Sequence, residues 1–400
     1  MRTGVIGTSR KENEKRVAIH PGQLESIAPN LRSCLFFEEG YGLPFGVSNE
    51  KLKELTGNDP LPRKTLLETS DAVILPKPVL SDFQQMRENM TVWGWIHSVQ
   101  QQDVTQVAIE KRMTLFAWEN MNFQGRRGQV HIFQKNNELA GYCGVQHALS
   151  LRGIDGNYGP RRKAIVFSFG SVSRGAITAL KSHGIHDITV LTRRSPHLIA
   201  NQVPGTRYLR FYLSPDNRPL VEDEPGHAIP LIKLLSQADI LVNGVLQSPL
   251  NPVTFIGEKD VQAFGKECLV IDISCDQGMG FHFAQPTSFV QPLYQVGNLL
   301  YYSVDHTPSL LWDSASWEIS ASLLPYLADF LEKRDNPVLI AAMDMKNGVI
   351  LNKEILSYQH RALAYPHAAG LVPIGKMARR IGIVPKHILF QNAGMAGKDN

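Results

Sequence analysis

Two doubly wound α/β domains with a cleft between them are what this chain predicts, each built on a parallel sheet. Three observations carry that expectation. Short apolar runs alternate with helix-compatible stretches through residues 3–118. A complete strand–helix–strand unit follows at 164–192. Between them lies the loop GIDGNYGPRRK (153–163), whose glycines and proline mark a connection. Buried parallel strands read as continuous apolar runs, and parallel pairing needs a helical crossover.

In chain order, the first strands are TGVIG (3–7), SCLFFEEG (33–40), DAVILP (71–76), TVWGWIH (91–97) and TLFAW (114–118). NEKLKEL (49–55) and VTQVAIEKR (104–112) are helix-compatible, and ELAGYCGVQHALSLR (138–152) predicts a long helix. The second domain opens with the strand AIVFSFG (164–170), the helix SRGAITALKSHG (173–184) and the strand DITVLT (187–192). Residues 196–228, rich in Pro, Arg and Asp, are expected to be irregular. Regular structure resumes with the helix IPLIKLLSQ (229–237) and the strands ADILVNG (238–244) and CLVIDIS (268–274). The helical stretch 309–334 is expected to pack back on the first domain and make it discontinuous. The expected boundaries are therefore 1–150 plus 307–400, and 151–306. The last thirty or so residues, with GKMARRIGIVPKH, receive no role.

Composition narrows the class. The 400 residues are 43% hydrophobic and 20% charged, ordinary for a globular chain. No run approaches the roughly 18 apolar residues of a membrane span, and the first residues lack a secretory pattern. A soluble cytoplasmic protein with no membrane partner is expected. Cys34, Cys143, Cys268 and Cys275 are scattered without metal-ligand spacing, so no metal site is expected. A net charge of +4 from dispersed basic residues gives no support to a nucleic-acid partner.

The segment from Ser168 to Gly175 joins a predicted strand to a predicted helix. Dinucleotide-binding loops need glycine where the backbone meets pyrophosphate, and the helix N-terminus adds free N–H groups. Gly170 supplies the central glycine, while Ser168 and Ser173 stand where glycines are usual. Ser168, Gly170, Ser171 and Val172 are the expected pyrophosphate contacts, with Asn243 and Val245 at the end of a neighbouring strand. After the second strand, NAD enzymes carry an acid for the ribose hydroxyls. Here the chain reads Thr192-Arg193-Arg194-Ser195. Arg193, Arg194 and Ser195 suit a 2′-phosphate, which favours NADPH (NADP).

Four motifs then stand out: Asn13-Glu14-Lys15-Arg16-Val17-Ala18-Ile19-His20-Pro21, Val73-Ile74-Leu75-Pro76-Lys77-Pro78, Trp93-Gly94-Trp95-Ile96-His97, and Asp272-Ile273-Ser274-Cys275-Asp276-Gln277-Gly278. Together they resemble alanine dehydrogenases and their relatives. Phe116-Ala117-Trp118-Glu119-Asn120-Met121, Lys135-Asn136-Asn137-Glu138-Leu139-Ala140-Gly141 and Val304-Asp305-His306-Thr307-Pro308 extend the likeness. They resemble the N(5)-(carboxyethyl)ornithine synthase family, within the alanine dehydrogenase and saccharopine dehydrogenase superfamily. The resemblance covers roughly residues 1–195 and 235–335.

It implies two Rossmann-like domains and an opine-type reaction. An α-keto acid, pyruvate, is condensed with the side-chain amine of ornithine or lysine, and NADPH reduces the product. The first domain then takes substrates and 151–306 takes NADP. Arg16 is implied to bind the keto-acid carboxylate, and the physical reading agrees, because a guanidinium is a bidentate donor. Lys77 and His97 end consecutive predicted strands, where parallel sheets place ligands. His97 is expected to titrate near neutrality and carry acid/base work, and Asp276 to orient the imine. Trp118, Glu119, Asn137 and His306 are the expected amino-acid pocket. Singly, Arg16 and Lys77 also read as surface ion pairs and His97 as a core histidine. A homo-oligomer is suggested by resemblance only. Rival readings are an alanine dehydrogenase-like enzyme using ammonia, a saccharopine dehydrogenase-like enzyme using 2-oxoglutarate, and a non-catalytic NADP-binding regulator on the same fold.

Overall fold

Five short strands pair in parallel: β1 (Thr3–Val5), β2 (Leu35–Phe37), β3 (Ala72–Ile74), β4 (Thr91–Gly94) and β5 (Thr114–Ala117), in the order β2-β1-β3-β4-β5. The computed structural model describes residues 1–369 except 8, 126–127, 225, 246, 248–251 and 276. Each strand is shorter than its apolar run. The last residues of each run leave the ladder and form loops at the carboxyl edge, and that is what frees Lys77 and His97.

The helix α1 (Gln134–Arg152) leads into the second sheet. There follow β6 (Lys163–Phe167), α2 (Ser171–Ser182), β7 (Asp187–Thr192), β8 (Arg207–Leu213), β9 (Pro219–Glu224), β10 (His227–Pro230), β11 (Ile240–Asn243), β12 (Cys268–Asp272), β13 (Leu293–Val296) and β14 (Leu299–Tyr302). The order is β10-β9-β8-β7-β6-β11-β12-β14-β13. The six strands from β8 to β14 are parallel, while β9, β10 and β13 are antiparallel additions at the two edges. The parallel core is thus the doubly wound arrangement, with its order reversing between β6 and β11.

Residues 196–228 correct the sequence reading. They hold β8 and β9 and the start of β10 rather than irregular chain. In RYLRFYL, Arg207 and Arg210 are exposed while Tyr208, Leu209 and Phe211 are buried. The arginines hid a strand whose apolar side chains enter the core. Asn217, at φ 59°, makes the tight turn into β9.

After β14 the chain returns to the first sheet. The helix α3 (Trp312–Glu332) buries Ile319, Leu323, Leu327 and Phe330 in one cluster with Val5, Leu35, Trp93 and Trp118. These apolar residues recur at helical spacing. The strands β15 (Met343–Lys346) and β16 (Val349–Ile350) then extend that sheet, β15 lying antiparallel to β5. The Lys- and Arg-containing stretch after about 370 lies outside the described residues. Among those described, no helix is long and apolar enough to cross a membrane.

α1 and α2 touch backbone to backbone. A Cβ on Gly141 would stand 1.8 Å from the Val172 carbonyl oxygen, and one on Gly175 1.8 Å from that of Glu138. No side-chain rotation relieves either clash. Gly175→Ala is therefore expected to lower stability by roughly 3 kcal/mol, at the upper end of overpacking effects. A urea titration would show it as a lower midpoint at unchanged slope.

Candidate active site

A cavity of about 140 Å³ opens at the carboxyl edge of the first sheet, lined by Arg16, Lys77, Trp95, His97, Asn136 and, from the loops that follow β12 and β14 of the second sheet, Ile273 and the segment Val304–Pro308. The sheet order reverses between β1 and β3, so the loops after them splay apart and leave a crevice. Lys77 follows β3 and His97 follows β4. Gly94 brings them together: a Cβ there would lie 2.0 Å from the Leu75 carbonyl oxygen. His97 itself takes φ 52°.

Arg16 is 2% exposed, so it is no surface ion pair. Its Nε donates to Glu14 Oε1 at 2.8 Å and its Nη2 to Glu14 Oε2 at 2.5 Å. Nη1 donates to Asn136 Oδ1 at 3.0 Å, and the guanidinium lies 4.9 Å from the Trp95 ring centroid. Burial pushes the Glu14 carboxyl up, but Arg16 outweighs it and holds the group below its usual value. Two of Arg16's five donors remain for a ligand.

Lys77 Nζ lies 3.3 Å from Asp305 Oδ2, and Lys11 Nζ also pairs with that oxygen. Burial depresses the Lys77 ammonium, with Lys11 and Arg16 adding to the effect against Asp305. Burial works against the Asp305 carboxylate, yet Lys77, His306 and Lys11 hold it well below the usual range. The segment carrying Asp305 is tied to both neighbours. His306 Nε2 donates to the Glu12 carbonyl at 2.6 Å, and Thr307 Oγ1 to that of Ala140 at 3.0 Å.

His97 corrects the expectation of a group titrating near neutrality. Burial, then the Lys77 charge, pushes its imidazole down to about 3, so the ring is neutral across the physiological range. The amino-acid pocket is also redrawn. Trp118 is fully buried against Trp93, Trp95 and Phe133 and does not line the cavity, because its indole fills the core below it. Asn137 faces His131, at 3.4 Å, since one helical step separates it from Asn136, which does reach the cavity. His306 lines the cavity. Asp276 lies outside the described residues.

Glu119 stands behind His97 and accepts its backbone N–H through Oε1 at 2.5 Å. Burial, reinforced by the Asp344 carboxyl, pushes Glu119 from the ordinary 4.5 up to about 8. The folded chain therefore keeps a proton that the unfolded chain has lost between those values, and stability falls as pH rises through that window. Glu119→Gln keeps the acceptor and removes the ionisation. It is expected to be more stable than the parent by roughly 2–4 kcal/mol at about pH 9, with little difference near pH 4. Melting curves across that range would show it.

A second cavity, of about 450 Å³, opens where β6 and β11 part. Ser168, Phe169, Gly170, Arg174, Thr192, Arg193, Arg194 and Val245 are among its lining residues. Space over Gly170 is open, with nothing within 4 Å of a built Cβ. The serines that replace glycines have a local use. Ser168 Oγ meets Ser173 Oγ at 2.7 Å, and Ser173 Oγ donates to the Phe167 carbonyl at 2.9 Å. They stitch the loop to the first turn of α2 and leave Gly170 as its outward corner. Ser171 and Val172 offer the free N–H groups of a helix start but do not line the cavity. Asn243 is buried, donating to Asp272 Oδ1 at 3.0 Å, so it braces the strand ends instead of facing a ligand. Ser195 starts the next turn and also falls outside the lining. Arg174 lines the cavity and was missed; only its place in the first turn of α2 hinted at it. An open glycine corner, a helix start and arginines fit a dinucleotide, and among the described residues no carboxylate lines the cavity.

The chain matches the model of the alanine dehydrogenase/PNT N-terminal domain over residues 5–140 and that of the C-terminal domain over 221–358. Alanine dehydrogenase 1 of Staphylococcus aureus (strain NCTC 8325 / PS 47) is 20% identical over 366 residues, 87% of this chain and 94% of that protein. Alanine dehydrogenase of Methanococcus maripaludis is 21% identical over 361 residues, 85% and 92% of the two chains. A solved L-alanine dehydrogenase superposes with a TM-score of 0.71 at 17% identity, covering 90% of this chain and 99% of that one. The transhydrogenase from Sinorhizobium meliloti gives 0.65 at 16% identity, covering 88% and 98%. The superpositions speak to fold, and the family models leave out 141–220, where the phosphate loop lies. Both domain models match in order and together span more than half of the residues, so the chain belongs to the alanine dehydrogenase/PNT family.

Proposed function

We propose that this chain is an NADPH-dependent oxidoreductase that condenses pyruvate with the side-chain amine of ornithine or lysine and reduces the C=N bond to an N-(carboxyethyl) amino acid. The observation that carries the reading is the convergence of Arg16, Lys77, His97 and His306 on one cavity beside Asp305. In this reading residues 1–150 with 307–400 take the substrates and 151–306 take the cofactor.

Arg16 and Lys77 hold the keto-acid carboxylate and carbonyl oxygen. Each cation already faces a carboxylate, Glu14 and Asp305. With Lys11 the five groups sum to one positive charge, which supports a monocarboxylate over 2-oxoglutarate. Trp95, Ile273, Val304 and Pro308 give the acid's other end an apolar wall. The amine arrives as an ammonium, and neutral His97 relays two protons from its nitrogen, one to the carbonyl oxygen as the C–N bond forms and one to the resulting hydroxyl, so that water leaves and the C=N cation remains. Asp276, beyond the described residues, is the proposed partner of the resulting cation. The bound cofactor would supply a hydride to the carbon of the C=N bond.

Alanine dehydrogenases over 85–87% of this chain support a second reading, in which ammonia replaces the amino acid. NADPH oxidation with pyruvate, tested with ornithine, lysine, ammonia or no amine, separates them. Turnover that needs ornithine or lysine supports the condensing reading. Turnover with ammonia alone replaces it with the dehydrogenase. No turnover with any of these amines would sink the assignment of substrates.

Arg193 and Arg194 are exposed, and among the described residues neither side chain has a partner. Replacing both with Ala is expected to raise the KM for NADPH by roughly 10–100-fold and that for NADH by far less, since each loses a charge-assisted contact to a dianion. Equal effects on both cofactors would contradict the 2′-phosphate assignment.

A further inference from the structure

We propose that Arg174 is a third cationic ligand of the cofactor, binding the adenosine 2′-phosphate together with Arg193 and Arg194. The inference rests on the reading that a dinucleotide occupies the larger cavity, and it adds a residue outside both family-model matches.

Charge comes first. Three arginines line that cavity, and among the described residues no Asp or Glu lines it with them. The smaller cavity behaves differently, because there each cation meets a carboxylate. A cavity that leaves three positive charges uncompensated is matched to a multiply charged anion, and a ribose with free hydroxyls carries no charge to meet them. A 2′-phosphate does.

Arg174 is the fixed member of the set. Its guanidinium carbon lies 3.9 Å from the centroid of the Phe169 ring. That ring is itself held edge-on by Tyr208, at 5.0 Å. Nη1 donates to the Asn201 carbonyl at 3.1 Å and Nη2 to that of Ala200 at 3.4 Å. The side chain is therefore oriented by an aromatic face and two neutral acceptors, which leave its full charge in place. Three of its five donors remain for a ligand. Arg193 and Arg194 are exposed and must be ordered on binding, whereas Arg174 is already in place.

Position agrees. Arg174 sits in the first turn of α2, and Arg193 follows β7. Ser168 N donates to the Leu191 carbonyl at 2.8 Å, so the phosphate loop and the end of β7 are joined side by side. A ribose bound at the end of β7 places its 2′ substituent between them.

The competing account makes Arg174 a strap that only holds the 200–201 turn. Binding of four probes to the full chain distinguishes the two: NADPH, NADH, 2′,5′-ADP and 5′-AMP, titrated by calorimetry into the parent, R174M and R174K. The expected result is that R174M weakens NADPH and 2′,5′-ADP by about tenfold or more, with NADH and 5′-AMP changed by less than about threefold. R174K, which keeps the charge and loses the fork, should fall between. Retained 5′-AMP binding shows that R174M is folded. Equal weakening of all four probes, or none, would overturn the assignment of Arg174. A parent chain that binds none of the four would remove the dinucleotide reading itself.

Discussion

Replacing Arg16 with Met is expected to cost about 3–5 kcal/mol of folding stability and to abolish keto-acid binding. The reason lies in Glu14. That carboxylate is 6% exposed, and Arg16 engages both of its oxygens. Removing the guanidinium leaves a buried anion without its counter-ion, a larger penalty than the pair's net contribution. The Glu14→Gln/Arg16→Met double variant should regain most of the stability and none of the activity. Denaturant midpoints of the two single variants and the double would give the coupling. Acid sharpens the test. Glu14 titrates below its usual value, so its share of stability is present above about 4.5 and is lost as pH falls through the folded value. The double variant should lack that share. Additive single effects would mean that the pair is not coupled.

What the sequence reveals follows from how each feature is encoded. Lys77 and His97 were legible because a strand's end is a local pattern, and a doubly wound sheet places ligands at its carboxyl edge. The roles of Asn136 and Asp305 were not legible, because they depend on contacts over long separations, 120 residues for Arg16 with Asn136 and 228 for Lys77 with Asp305; Glu14 lies only two residues from Arg16, but nothing local shows that the pair is buried. The sequence points to Asn137 and the structure brings Asn136 to the cavity instead: adjacent residues on a helix point about 100° apart, and only the packed helix shows which one faces in. Arg207 and Arg210 concealed β8, since a charged residue on a strand's solvent side looks locally like loop. The protonation state of His97 was beyond reach, because pattern shows residue type and only burial and neighbours fix the charge.

That last point leads to the kinetic prediction. Replacing His97 with Ala is expected to lower kcat by roughly 10²–10⁴-fold, the span of a lost general acid–base group. The parent's pH profile should be unusual for a histidine. With the ring pushed down to about 3 in the ligand-free chain, kcat/KM should show no acid limb near 6.5. A keto-acid carboxylate entering the cavity offsets the Lys77 charge that helps depress the ring, so the value in the complex should rise. Since kcat reports the complex and kcat/KM the free enzyme, the acid limb of kcat should lie at higher pH than that of kcat/KM. Lys77→Met removes the same charge permanently. In that variant the two limbs should move together, with the kcat/KM limb shifted upward, whatever the loss in rate. A limb near 6.5 in the parent's kcat/KM would mean that His97 is solvated and unperturbed in the free enzyme. A limb that stays put in Lys77→Met would assign the depression to burial alone and leave the lysine no part in setting the proton affinity of its neighbour.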